Sequence, residues 1–147
     1  MNLQNKLQEL VNILPFKAEE ELLEEILLKS SHIDFTGEGE KLFKAGDPPL
    51  GFYWILSGQV ETVIPNKALL NLREGDMAGL DCFLNKETHP FNVVTASPQV
   101  KTIFINRPCF DHFREKPDFR RLINSQVLYH LFSYKSLLYS PSDLLLK

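Results

Sequence analysis

Apolar residues open the chain at helical spacing. Leu3, Leu7, Leu10, Val11 and Leu14 share one face, and Pro15 stops the pattern. A second amphipathic segment starts near Ala18, with Leu22, Leu23, Ile26 and Leu27 on one side. Glu19, Glu20 and Glu21 fall in its first turn, where carboxylates suit the positive end of the helix dipole. From about Ile33 to Ile105 the pattern changes to short apolar runs that stop at Gly or Gly-Asp, where a turn can take positive φ. Strands of this length with regular turn signals predict a small antiparallel roll. Val93–Ala96 and Val100–Ile105 are its last two strands, turned at Ser97-Pro98, and Leu80 to Leu84 forms a short helix between strands. Arg107-Pro108 opens another helix, and Pro117 interrupts it and starts a last one running to about Tyr139.

That last helix is apolar on several sides. Ile123, Val127, Leu131, Tyr134 and Leu138 form one stripe, while Leu122, Leu128, Tyr129, Phe132 and Leu137 occupy other faces. Such a helix must be covered on more than one side. The roll covers one side, and a second subunit on the other makes a homodimer. The alternative is a monomer in which the N-terminal helices pack over it.

Composition narrows the class. With 147 residues, 44% of them hydrophobic, the chain is long enough for one domain with a real core. A formal net charge of −3 and scattered Lys and Arg argue against a nucleic-acid-binding surface. Cys82 and Cys109 are too few and too far apart for a zinc knuckle or a redox pair. Neither a signal peptide nor a run of about 20 apolar residues is present, so the expectation is a soluble cytoplasmic protein with no membrane partner. His32, His89, His112 and His130 are dispersed, which disfavours a metal centre. Without a nucleophile elbow, a phosphate loop or paired carboxylates, catalysis is not expected.

Three glycine-punctuated runs carry a resemblance: Gly39 to Asp47, Phe52 to Val60, and Leu72 to Gly79. In their spacing and strand order the chain resembles the cyclic-nucleotide-binding domain family, specifically the sensor half of catabolite-activator (Crp/Fnr-type) regulators, over roughly Phe35 to Tyr139. The resemblance implies a mostly β fold with flanking helices, a jelly-roll-like β-roll (a cupin-like double-stranded β-helix) followed by a long C-terminal helix. It divides a single domain, 1–147, into N-terminal helices at 1–30, the roll at 31–106, C-terminal helices at 107–139 and, at 140–147, a hinge toward a DNA-binding domain absent from this chain. Regulators of this kind usually dimerise along the long helix.

The family holds its cyclic phosphate in a Gly-Glu step, a short helix, and an Arg followed by a small residue. Helix-start N–H groups and the Arg fork neutralise the phosphate, while the Glu accepts from the ribose. Here the corresponding segment offers Gly79, Leu80, Asp81, Cys82, His89, Pro90, Phe91 and Asn92 as ligand-site candidates. Leu80 stands at the Glu position and the Arg position falls on Pro90 or Phe91, neither of which can form a fork to phosphate. Substitute cations are His89, Lys86 and Arg73. Phe91 points instead to a pocket filled by the protein itself or taking a more apolar ligand. Cys82 is either a redox sensor or a small buried hydrophobe, the latter being the commoner role. Tyr53 and Trp54 alternate on a strand, so one is expected to face the core and the other outward. The expected function is a non-catalytic, ligand-sensing regulatory domain without a fixed cofactor, responding to a small-molecule effector (a cyclic nucleotide or other) but not binding cyclic AMP or cyclic GMP in the usual way. The alternative is a stand-alone interaction module that kept the roll and lost the ligand.

Overall fold

The computed structural model describes residues 3–14, 16–65 and 70–138, the side chains of Leu70 and of 129–138 excepted. The expected hinge at 140–147, and the side chains of Leu131, Tyr134 and Leu138, lie outside the described residues. Two helices come first, α1 (Leu3–Ile13) and α2 (Glu20–Lys29). Glu20 and Glu21 sit in the first turn of α2 and Lys29 in its last, a charge order that complements the helix dipole.

Eight strands follow: β1 (Ser31–Phe35), β2 (Lys41–Phe43), β3 (Gly51–Ser57), β4 (Gln59–Val63), β5 (Leu70–Arg73), β6 (Met77–Ala78), β7 (Asn92–Thr95) and β8 (Val100–Asn106). A short helix, α3 (Leu80–Asn85), separates β6 from β7. The strands form two four-stranded sheets, ordered β1-β8-β3-β6 and β2-β7-β4-β5, with every pairing antiparallel. Two helices end the described chain, α4 (Arg107–Phe113) and α5 (Pro117–Leu138). Asn106 caps α4, its Oδ1 accepting from the Cys109 amide at 3.0 Å.

Two cores result, one on each face of the first sheet. Phe52, Trp54 and Leu56 of β3 point to the helical side, where they meet Leu10, Leu23, Ile26, Phe83, Phe113 and Phe119. Ile55 points into the roll with Phe43, Val60, Leu72, Ala78 and Val93, and half-buried Tyr53, Phe35 and Phe104 pack against that set. The expectation that one of Tyr53 and Trp54 faces outward is therefore corrected. The strand is covered on both faces, so alternation sends each ring into a different core.

Two turns of identical chemistry frame the roll. In Lys44-Ala45-Gly46-Asp47 and Arg73-Glu74-Gly75-Asp76 the glycine takes φ +94°, which closes a four-residue turn at no steric cost. Each aspartate then folds back, Asp47 Oδ2 accepting from the Lys44 amide at 2.8 Å and Asp76 Oδ2 from the Arg73 amide at 2.9 Å. The first turn lies beside the β7 entry and the second beside β6, so both border the segment described next.

Candidate functional site

The segment from Gly79 to Asn92 begins where β6 ends. Gly79 has φ +87° and serves as the N-terminal boundary residue of α3. The helix is six residues long and ends at Lys86, itself left-handed at φ 56°. Beyond it the chain is tied to the first Gly-Asp turn. The His89 amide donates to the Asp47 carbonyl at 3.0 Å, and the Gly46 amide donates to the His89 carbonyl at 2.7 Å. Asn92 adds a strap, its Oδ1 accepting from the Ala45 amide at 2.8 Å.

These bonds drive the His89 ring inward. It is 2% exposed and stacks on Phe43 with centroids 3.7 Å apart and planes 17° from parallel. Both rings press on Gly79: a Cβ there would lie 2.5 Å from a Phe43 ring carbon and 3.1 Å from His89 Cε1. Phe43 in turn meets Tyr53 edge-on at 5.2 Å, and Tyr53 meets Phe104 at 4.8 Å and Phe35 at 6.0 Å. The start of α3 is thus floored by an aromatic cluster of the roll interior.

The electrostatics of this spot are acidic. Burial pushes the His89 imidazole below its ordinary value, opposed in part by the Asp81 and Asp47 carboxylates. His89 Nε2 is buried with no hydrogen-bond partner among the described residues. Burial also raises the Tyr53 phenol, helped by Asp47. The Cys82 thiol is pushed up to about 12, first by burial and then by Asp81 and Glu87. A thiol in that state is protonated and a poor nucleophile, so the structure favours the packing role for Cys82 over redox sensing. Cys109 is likewise raised by burial, against a smaller effect of Lys29.

The remaining candidates scatter. Leu80 is buried on the helical side with Met77 and Phe83, in the first core rather than the roll interior. Asp81 is half-buried, Pro90 is exposed and Phe91 is half-buried. Lys86 and Arg73 are exposed, so neither is held against the start of α3. Ile123 joins the chain's own core, whereas Val127 and Leu128 are 38% and 58% exposed.

Three residues escaped the sequence reading. Phe43 supplies the floor of the site from β2, a contact that no local pattern announces. Arg107 lies over the Phe83 ring at 3.8 Å and donates through Nη2 to the Phe83 carbonyl at 3.0 Å, which satisfies a late α3 carbonyl with a cation. Gln126 reaches from α5 to the backbone of Gly75 and Met77. Its polar character on an otherwise apolar face was the available signal. Among the described residues no group of His, Cys, Asp and Glu could hold a metal ion, and no helix is long and apolar enough to cross a membrane.

Known structures share this architecture. A cyclic nucleotide-binding domain from Methylobacillus flagellatus KT superposes with TM-score 0.63 at 19% identity, over 87% of this chain and 75% of that one. A cAMP-binding acyltransferase from Mycobacterium smegmatis, in a mutant form, gives TM-score 0.62 at 22% identity, over 82% of this chain. The present chain spans about two fifths of that enzyme, 39% of its length. At these identities the likeness is one of fold. No curated protein matches by sequence. Residues 36–116, more than half of the chain, match the family model for the cyclic nucleotide-binding domain, and the chain belongs to that family.

Proposed function

We propose that the chain is the non-catalytic regulatory module of a Crp/Fnr-like transcription regulator, cytoplasmic and dimeric through α5, whose phosphate cradle is occupied by its own His89 and Phe43. The observation that carries this reading is the His89–Phe43 stack seated on Gly79. A cyclic phosphate at the start of α3 needs a cation beside the helix-start amides; in its place this chain offers two carboxylates, a neutral imidazole and a phenyl ring. Desolvating a phosphate beside Asp47 and Asp81 without a counter-cation is strongly unfavourable. The effector is then a less charged molecule than a cyclic nucleotide, and its signal passes from the roll to α5 as a shift between two states.

The dimer rests on Val127 and Leu128, apolar and exposed on the helix whose preceding turn, Leu122 and Ile123, is buried. Sedimentation of Leu131→Asp/Leu138→Asp protein tests it: dissociation to monomer is expected, and an unchanged association state contradicts it. The test of the ligand reading is a calorimetric titration with cyclic AMP and cyclic GMP. The expected result is silence from folded protein; micromolar binding overturns the proposal and makes Arg73, Lys86 and His89 the residues to mutate. A second reading, an interaction module without any effector, is favoured by the same filled cradle and is distinguished by a protein partner that binds in the absence of small molecules.

A further inference from the structure

The edge of the first sheet is closed by a side chain. In the order β1-β8-β3-β6 the strand β6 is outermost, and it runs directly into Gly79 and α3. The carboxamide of Gln126, from α5, lies along it. Gln126 Oε1 accepts from the Met77 amide at 3.2 Å, and Nε2 donates to the Gly75 carbonyl at 3.0 Å. A carbonyl and an amide two residues apart are what a neighbouring strand would pair with, so one side-chain amide replaces a strand's peptide group. The same Gly75 carbonyl also accepts from Trp54 Nε1 at 3.2 Å, and the Gly75 amide donates to the Ile55 carbonyl at 2.8 Å. Gln126 therefore grips backbone that is fixed to β3 on one side and leads to the cradle on the other.

We infer that Gln126 is a catch that locks the axial position of α5 to the conformation of the Gly79–Asn85 segment. The inference names the coupling element of the regulatory site proposed above and rests on that reading for its purpose, though not for its geometry. Gln126 is 9% exposed, flanked on its helix by buried Leu122 and Ile123. A leucine or methionine there would pack as well and would tolerate sliding. A two-point amide bond does not, because a slip of one residue along the helix breaks both bonds and leaves a buried Met77 amide and Gly75 carbonyl without this partner. Only Ala78 separates Met77 from Gly79, so a displacement of β6 reaches α3 with little slack. In this arrangement α5 has one engaged position, and a cradle that opens must either carry α5 with it or release the catch.

Amide hydrogen exchange on the full chain tests this without any ligand. Gln126→Met keeps the volume and removes both bonds. It is expected to speed exchange of the Met77 amide and of α3 by about tenfold or more, the consequence of one lost buried hydrogen bond, and to leave β1 unchanged. Straining the cradle with Gly79→Ala is expected to speed exchange in α5 around 119–127, and to lose that effect when Gln126→Met is also present. Gln126→Leu, which also removes both bonds, repeats the comparison should the methionine variant fold poorly. Faster exchange at Met77 alone, with α3 unmoved, reduces Gln126 to a local fastener and overturns the inference. So does an α5 response to Gly79→Ala that persists without Gln126. A failed sensor reading shows itself in titrations and leaves the exchange result standing, so the two failures are distinguishable.

Discussion

Gly79→Ala is the sharpest perturbation of the cradle. Two separable costs arise. Alanine at φ +87° is in the left-handed region, worth roughly 1–2 kcal/mol against an L side chain. The new methyl would also stand 2.5 Å from the Phe43 ring, which cannot turn aside because His89 stacks on one face and Tyr53 abuts it. Forcing a methyl into such packing costs roughly a further 1–3 kcal/mol. The expected loss is therefore about 2–5 kcal/mol, a large share of the roughly 5–15 kcal/mol that holds a typical domain together. Urea denaturation with an unchanged m-value measures it. The steric part is isolated by a double-mutant cycle with Phe43→Leu, whose smaller side chain leaves room for the methyl. The double variant should be more stable than the sum of the singles predicts by about 1–3 kcal/mol. A Gly79→Ala loss of only about 1–2 kcal/mol, additive with Phe43→Leu, would mean the cradle is open and the stack is not where we place it.

Further expectations concern single groups. His89 is buried neutral with a folded pKa below its ordinary value, so the stability it contributes is present above the unfolded pKa of about 6.5 and is lost as pH falls from there through the folded value. His89→Gln should flatten that part of the melting temperature against pH curve; an identical slope in both proteins refutes the burial argument. With its thiol near 12, Cys82 should react with iodoacetamide far more slowly than free cysteine at pH 8, and fast alkylation of folded protein would restore the redox reading. Asn106→Ala removes the α4 cap and should cost about 1 kcal/mol in the same denaturation assay, with no loss a sign that the cap is redundant.

The strand and helix pattern was legible because its signals are local. Gly46-Asp47 and Gly75-Asp76 announce turns by chemistry confined to four residues, and Pro108 and Pro117 mark helix starts in the same way. The candidate segment was also found from sequence, since Gly79 and the short helix after it sit at a recognisable spacing. Its interior arrangement was not. Phe43 and His89 are 46 positions apart, and their stacking depends on His89 exchanging backbone hydrogen bonds with the Gly46-Asp47 turn. Phe91 was the aromatic that sequence singled out for the pocket; it is half-buried, while its neighbour two residues earlier is the one enclosed. The pair Tyr53 and Trp54 has no outward-facing member because a strand covered on both faces has no outward side. Gln126 stands out only as a polar residue on an apolar helix face, and the edge of β6 beside it explains why an amide is buried there.

The proposed closure of the cradle at Gly79 rests on His89 being neutral and stacked on Phe43. Its most direct test is a pH titration of the histidine ring resonances by carbon-resolved NMR, recorded with and without millimolar cyclic AMP. One ring, assigned through His89→Gln, should show through-space contacts to Phe43 and Gly79, a titration below that of an exposed histidine, and no response to the nucleotide. A His89 ring that titrates near 6.5, lacks the Phe43 contact and shifts together with Gly79 to Cys82 when cyclic AMP is added would contradict it.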